Sequence, residues 1–480
     1  MAKEQIVVEA PERGWPVARA EPHALEDPAA GSVSRPTAKS RAQLRGLVLR
    51  SVLLLLAGGT SGVGASSLTI SFTGPEETVI SNGAWGLYCM PDEQMSFLNT
   101  NGLLSVWFTG NGSAQLFRGS NFNTLNPYLT NQGSTVPVLA PSATGFDADY
   151  AGPGSVIQAA NGSDLLMVYH AETQYATCGK AAAKASIGIA RSSDGGQTWT
   201  RLGQIITGQE AVPQCTTQFN GSGAPSIALS PDGNYFYVYF MDWGTNYPTA
   251  IHLARALRTS DGLPGSWFKY YLDDFTQPGI GGHSDPVISR PSASALWAGF
   301  HNISFNSYLN RYLAVVTCQD GWYCTSSPDG ISWQLPQPFF QFPVAYNQLT
   351  NGDPRYLYPT LLSHEQQSQL TTSQAGYLYY GHGVYGIECH HMARRPVILQ
   401  AGCDLLNCLV MLDALFRTNA LTFTINNLSP GATYLIQSST DLTSSNLWTV
   451  VSSFVASGNS TNFSLSLAPS ETSAFYRIQW

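Results

Sequence analysis

Three stretches of the chain end on the same chemistry. Residues 190–199 read ARSSDGGQTW, residues 256–267 read ALRTSDGLPGSW and residues 324–333 read CTSSPDGISW. In each, strand-forming residues lead into Ser, Asp and Gly and then into tryptophan. Trp199, Trp267 and Trp333 stand 68 and 66 residues apart, and a period of that size marks an array of supersecondary units. The turn chemistry is local: the Asp194 carboxylate can accept backbone N–H groups, the glycines supply positive φ, and the tryptophan packs between neighbouring sheets. These residues therefore read as structural.

Upstream of each turn a second order repeats. One unit runs AGPGSVIQ, Asn161-Gly162, LLMVYHAE and SIGIAR; the next runs GAPSIALS, Pro231-Asp232-Gly233, YFYVYFMDW and AIHLARAL. A further unit runs FHNISFN, a turn near Asn310, YLAVVTCQ and GWYCTSS, followed by YPTLLS, GYLYYGHGVYG and IECHHMARRPVIL; a first is visible at LYCMPDEQMSFL, LLSVWFTG and SAQLFRG. Alternating strands joined by tight turns give about four antiparallel strands per unit. Five such units over residues 66–400 predict an all-β fold, a five-bladed β-propeller. Residues 401–417 read as a linker, and 418–480 as a small C-terminal β-sandwich with Tyr434, Leu442 and Trp448 in its core.

Composition narrows the function. Only 11% of the residues are charged, 11% are aromatic, and 31 acidic residues outnumber 23 basic ones, which argues against a nucleic-acid partner. No apolar run reaches the roughly 18 to 20 residues that span a bilayer. Residues 1–65 read as a disordered tail leading into an export signal: Arg41, Arg45 and Arg50 precede the apolar run 52–57 and the small residues up to Ala65. The expected location is secreted, periplasmic or at the cell surface. All eight cysteines lie beyond residue 65, and none forms a CxxC pair. Disulfides are expected for Cys318 with Cys324, Cys403 with Cys408, Cys178 with Cys215 and Cys89 with Cys389. No metal site and no cofactor is expected, and the chain is expected to act as a monomer.

Ser192-Ser193-Asp194-Gly195-Gly196-Gln197-Thr198-Trp199 resembles the Asp-box of sialidases, S-x-D-x-G-x-T-W, at every specified position. Residues 326–333 are a looser copy and residues 259–267 a lengthened one. Sialidases have six blades; the five units here look more like the five-bladed glycoside hydrolases of the arabinofuranosidase and xylosidase type. The resemblance implies a glycan as partner and hydrolysis by paired carboxylates. It departs from sialidases in offering only Arg355 where they hold a substrate carboxylate with three arginines, so sialic acid is a poor candidate. It departs from the xylosidase type in having Asp92 where a clean Asp-Pro would open the first unit.

In a propeller the starts of the first strands and the ends of the second strands converge on one mouth, away from the Asp turns. Asp147, Asp149, His283, Asp285, Asp353 and Arg355 stand at the starts; His170, Glu172, Asp242, Asp320, His382 and Tyr385 stand at or near second-strand ends. Glycoside hydrolysis needs two carboxyl groups, one protonated and one ionised. The expected pair is Glu172 as general acid and Asp149 as base or nucleophile, with Asp242 and Asp285 orienting or tuning them. Asp147, His170, His283, Asp353, Arg355, His382 and Tyr385 are the expected substrate-binding residues. Plainer roles stand beside these: Asp147 and Asp149 as caps of backbone amides, Asp285 and Asp353 as turn initiators before proline, and His170 as a core histidine. The functional alternative is a carbohydrate-binding propeller without catalysis.

Overall fold

The computed structural model describes residues 68–174, 183–209, 220–244, 249–291, 298–387 and 389–401. Beyond them it describes 410–411, 415–417, 420–426, 433–439, 449–455, 457–458, 460–466 and 475–479. The expected export signal, the Cys178–Cys215 and Cys403–Cys408 pairs, Leu442 and Trp448 lie outside these residues. Two compact units result, one spanning Leu68–Ala401 and the other lying beyond Gly402.

Among its described residues the first unit contains no α-helix, only short 3-10 turns between strands. Its strands follow one another as antiparallel meanders. Meander I comprises Ser96–Thr100, Leu103–Gly110, Ser113–Gly119 and Asn126–Pro127. Meander II comprises Tyr150–Gln158, Leu165–Thr173, Lys184–Ser192 and Thr200–Thr207. Meander III runs Asn220–Leu229, Tyr235–Trp243, Ala250–Leu257 and Phe268–Tyr271, with Asp274–Pro278 added at its edge. Meander IV runs Ala298–Asn306, Arg311–Cys318, Gly321–Ser327 and Gln337–Gln341. Meander V has Pro354–Leu362, Ala375–Val384 and His391–Ala401 and is completed from the far end of the unit by Leu68–Phe72 and Glu77–Ile80. A disulfide between Cys89 and Cys389, 300 residues apart, fastens the same two ends together.

The first strands are linked into a closed cycle by side chains. Ser96 Oγ accepts the N–H of Val156 at 2.8 Å, Ser155 Oγ that of Ile227 at 3.1 Å, and Ser226 Oγ that of Ile303 at 3.0 Å. Asn302 Oδ1 then accepts the N–H of Leu361 at 3.1 Å, and Thr360 Oγ1 that of Met95 at 3.0 Å, returning to meander I. Gln94 ties the cycle together: its Nε2 donates to Ser155 Oγ at 3.2 Å and to the Pro225 carbonyl, and its Oε1 accepts from Asn302 Nδ2 at 3.2 Å. All of these groups are buried, so losing any partner strands an amide that water cannot reach.

The tryptophan turns of meanders II, III and IV each pack on the meander before. In the Ser192–Trp199 turn, Asp194 accepts the backbone N–H groups of Gln197 (2.9 Å) and Thr198 (3.0 Å), and Ser192 Oγ that of Gly196 (2.8 Å). Desolvation raises the Asp194 pKa, but the hydrogen bonds it accepts from the Thr198 hydroxyl and N–H, the Ser192 hydroxyl and the Gln197 N–H together outweigh it and hold the carboxyl down at about 2. Gly196 has φ +84°, and a Cβ there would lie 2.3 Å from the Trp107 ring of meander I, so the position demands glycine. Trp199 meets Trp107 edge to face at 6.4 Å, and both indoles donate to the Gly196 carbonyl. Ser327, Asp329, Gly330 and Trp333 rebuild the same turn in meander IV, where Trp333 packs on Tyr239 of meander III at 5.8 Å. Trp267 of meander III is buried among Ile187, Ile189 and Ile205 of meander II.

Among its described residues the second unit contains two antiparallel sheets. One contains Val410–Met411, Leu415–Arg417, Ala420–Asn426 and Ser460–Ser466; the other contains Thr433–Ser439, Thr449–Val455 and Phe475–Gln479. Tyr434 is buried and stacks on Phe454 at 5.5 Å.

One expectation needs correction. Cys318 and Cys324 are free buried thiols, not a disulfide. They sit on paired strands but out of register, Cys318 facing Gly321 and Cys324 facing Val315. Among the described residues no helix is long and apolar enough to cross a membrane.

The cycle predicts graded losses of stability. Ser226→Ala, which strands the Ile303 amide, is expected to cost about 1–3 kcal/mol in denaturant unfolding of the full chain. Asn302→Ala strands both the Leu361 amide and Gln94 and is expected to cost more. Equal and negligible effects would show that the cycle contributes nothing.

Candidate active site

Register fixes which side chains share an end of the unit. Glu172 lies opposite Tyr150 and Ala185, whereas Leu165 lies opposite Gln158 and Ser192. The ends of the second strands therefore lie with the starts of the first strands, and the Asp194 turn lies at the other end.

At this end the first strands bulge. Pairing with the second strand slips next to Ser155, and again just before Ser226, Asn302 and Thr360, so each slip adjoins an acceptor of the hydrogen-bond cycle. In meanders III to V the extra residues include Ala224 (φ 49°), Phe300 (φ 37°) and Tyr358 (φ 52°). Left-handed backbone at such residues stores roughly 1–2 kcal/mol each, a strain that tends to gather at functional sites. The bulges turn side chains into a girdle of rings. Tyr150 meets His170 at 5.2 Å, His170 meets Trp243 at 6.0 Å, and Trp243 meets Phe300 at 6.4 Å. Phe300 meets Tyr358 at 4.9 Å, and Tyr358 meets His390 at 5.9 Å. His390 Nε2 reaches the Pro91 carbonyl at 3.0 Å, and Tyr150 closes the girdle by donating to the Asp92 carbonyl at 2.7 Å.

His170, one ring of this girdle, is the centre of a buried triad. His170 Nδ1 stands 2.8 Å from Glu93 Oε1, and His170 Nε2 stands 3.1 Å from Glu172 Oε1. Burial opposes a charged ring, but the Glu93 charge and the hydrogen bonds to Glu172 and Glu93 prevail and raise the His170 pKa to about 9. The Ala224 N–H also points at Nδ1, at 3.0 Å. A neutral ring alone can accept it, so this contact opposes the proton and is outweighed by two carboxylates. A Cβ on Gly223 would fall 2.5 Å from His170 Cε1; glycine is what lets the imidazole occupy this place.

The other expected site residues are distributed as follows. Asp149 is half-buried beside the triad, and its N–H donates to the Glu172 carbonyl at 3.0 Å. Asp242 is fully buried; its Oδ2 faces the Gln209 N–H at 3.3 Å, and its charge acts on Lys269. Lys269 is itself buried, donating to the Thr207 and Gly282 carbonyls at 2.6 and 2.7 Å, and desolvation lowers its pKa to about 8 despite Asp242. Asp353 accepts the N–H and hydroxyl of Thr350, both at 2.8 Å, in a turn before the first strand of meander V. Arg355 stands over the Tyr385 ring at 5.5 Å, and both are half-exposed. His382 pairs with Glu76 at 2.7 Å.

Three further expected residues have the following partners. Asp147 is buried in an ion pair with Arg201 (2.7 Å), with bonds from Tyr169 (3.1 Å) and Ser142. Asp285 accepts the Leu272 N–H at 2.7 Å, and exposed His283 lies near Tyr271 at 5.6 Å. The segment GGHSDPV does not open the first strand of meander IV: Pro286–Ile288 pairs with the third strand of meander III, at its edge. Proline is tolerated there because an edge strand does not need its N–H.

Glu93 and Gln94 were not among the residues expected from the sequence. The only signal was the run Pro91-Asp92-Glu93-Gln94, two adjacent acids at the start of the first unit in a chain poor in charge.

No family model matches the chain, and no curated protein matches it. Among solved structures it is similar to Zg3597, a family 117 glycoside hydrolase from Zobellia galactanivorans, with TM-score 0.43 and 10% identity over 70% of this chain and 91% of that one. It is also similar to the catalytic domain of a GH62 α-L-arabinofuranosidase from Coprinopsis cinerea, with TM-score 0.39 and 13% identity over 69% and 98%. A third similar structure is an N-acetylgalactosamine deacetylase from F. plautii, with TM-score 0.40 and 10% identity over 71% and 96%. The chemistry of the site is therefore argued from this chain's own residues.

Because the His170 pKa lies above its unfolded value of 6.5, the stability it contributes is complete below about pH 6.5 and is lost as pH rises through about 9. The linkage is worth roughly 3 kcal/mol. Unfolding free energies at pH 6.5 and 10 are expected to fall by about that much more in the unmutated protein than in His170→Gln, a comparison in which the contribution of Lys269 cancels. An identical pH dependence in both would mean that His170 is neutral.

Proposed function

We propose that residues 68–401 form a five-bladed β-propeller whose axial end binds a neutral or mildly acidic glycan and hydrolyses a glycosidic bond. The observation that carries this reading is the convergence of acidic residues from two meanders on the start of the strand that begins at Tyr150. Tyr150 donates to the Asp92 carbonyl at 2.7 Å with Asp92 Oδ2 at 3.2 Å, Asp149 precedes it in the chain, and Glu172 faces it across the strand pair. Acidic residues from two meanders thus stand close to aromatic rings, neighbours of the kind that stack on sugars and tune acids.

In this reading Glu172 relays the proton held on His170 to the leaving-group oxygen as the C–O bond breaks. Asp149 takes a proton from the attacking water, or attacks the anomeric carbon first and is released by water. His170, anchored by Glu93, holds that proton beside Glu172 and regains it after each turnover. Asp242 acts from further out, through Lys269, and Arg355 and Tyr385 bind substrate at the rim. The product balance is one water consumed and one glycosidic bond cleaved. The second unit, a small β-sandwich in this proposal, serves attachment, and the protein works outside the cytoplasm as a monomer.

A second reading, glycan binding without turnover, is favoured by the complete burial of Glu172. A panel of chromogenic furanosides and pyranosides separates the two. The enzyme reading expects turnover of at least one member, with kcat reduced about 10²- to 10⁴-fold in Glu172→Gln while calorimetric binding persists. Binding without turnover in the unmutated protein, or full activity in Glu172→Gln, contradicts it.

A further inference from the structure

The closing strands of meander V carry a second cluster that the proposed glycan site does not use. His382 and His391 lie directly opposite each other on Ala375–Val384 and His391–Ala401, with ring centroids 5.4 Å apart. Glu76, the residue before Glu77–Ile80, reaches the same place from the other end of the unit: its Oε1 lies 2.7 Å from His382 Nδ1. One donor atom from each of the three residues lies within 4.8 Å of the other two. The geometry points to a divalent transition-metal site of the zinc type, formed by Glu76, His382 and His391.

Two imidazoles and one carboxylate are the donor set of a three-ligand zinc centre, with a fourth position left for water or an incoming group. Bonds of about 2.0–2.2 Å to a tetrahedral ion put the ligand atoms about 3.3 Å apart. The Glu76–His382 contact must open slightly and the widest gap must close, movements that side-chain rotation supplies. The surroundings already orient the ligands. Tyr380 donates its hydroxyl to Glu76 Oε2 at 2.6 Å, fixing the carboxylate from behind as outer-shell partners of metal ligands do. The His382 ring is stacked on Tyr356 at 4.5 Å and 18°, which holds its plane. Glu76 and His382 are 30% and 23% exposed, so an ion can reach them. The nearby guanidinium of Arg395, whose charge opposes a cation, is held over the Phe72 ring at 3.8 Å and by the Gly74 carbonyl at 3.3 Å.

The spacing 76, 382 and 391 is invisible as a motif because the closing strand pair alone brings the ligands together. That is also its consequence. A metal here would bridge the N-terminal strand segment to the two strands it completes, adding a third fastening to the strand pairing and the Cys89–Cys389 disulfide.

The test uses the full chain, stripped with chelator and titrated with Zn(II) by calorimetry, with melting temperature followed in parallel. The expected result is one zinc per chain with a raised melting temperature, both lost in Glu76→Gln and in His391→Gln, each shown to be folded by circular dichroism. Tyr380→Phe is expected to weaken binding about 10- to 100-fold, and His283→Gln to leave it unchanged. Absence of stoichiometric binding, or binding that survives both Glu76→Gln and His391→Gln, overturns the assignment.

Discussion

Five hydrogen bonds set the form of the first unit. Each joins a side chain on one first strand to a backbone amide of the next, and the fifth returns from Thr360 to Met95, so the sequence of meanders has no open end. A stack of meanders held only by apolar packing could slide or splay. Amides that must find a buried acceptor cannot, because a shift of one residue leaves several of them unpaired at once. Gln94 adds cross-links among meanders I, II, III and IV at the centre of the cycle.

The same cycle prepares the candidate site. The bulges beside its acceptors put Phe300 and Tyr358 in left-handed conformations, and their rings help wall the space where Glu93, His170 and Glu172 meet. Burying two carboxylates without compensation would be costly, and the imidazolium between them supplies the opposite charge. The arrangement is stiff as well as charged. Gly223 leaves room for the ring, Ala224 approaches one nitrogen, and Tyr150 is held by Asp92. A proton placed here sits in a fixed position beside Glu172, a useful property for acid catalysis and one that a solvated histidine lacks.

Much of this was legible in the sequence, for reasons that vary by residue. The tryptophan turns announce themselves because Asp194 and Asp329 satisfy backbone amides within a few residues, so the chemistry is written in consecutive letters. His170 and Glu172 were legible because an otherwise apolar strand ends on them. The acceptors of the cycle were not: serine, asparagine and threonine do the same task, and nothing local distinguishes them from surface residues. Asp285 and His283 were misplaced because an Asp-Pro pair before a short apolar run looks the same at the start of a first strand and at an edge. Asp147 looked available because its partner, Arg201, is supplied by a strand more than fifty residues later. The closure of meander V by Leu68–Phe72 and the pairing of Glu76 with His382 are contacts between the two ends of the unit, which no local pattern records.

Residue-resolved hydrogen exchange tests the closed cycle most directly. If the five meanders are bound into one ring, the amides of Met95, Val156, Ile227, Ile303 and Leu361 should share a single opening free energy equal to that of global unfolding. If Met95 or Leu361 exchanges through a separate, lower-energy opening while the other three stay protected, the ring is not closed at meander V, and a common axial site for its carboxylates loses its physical basis.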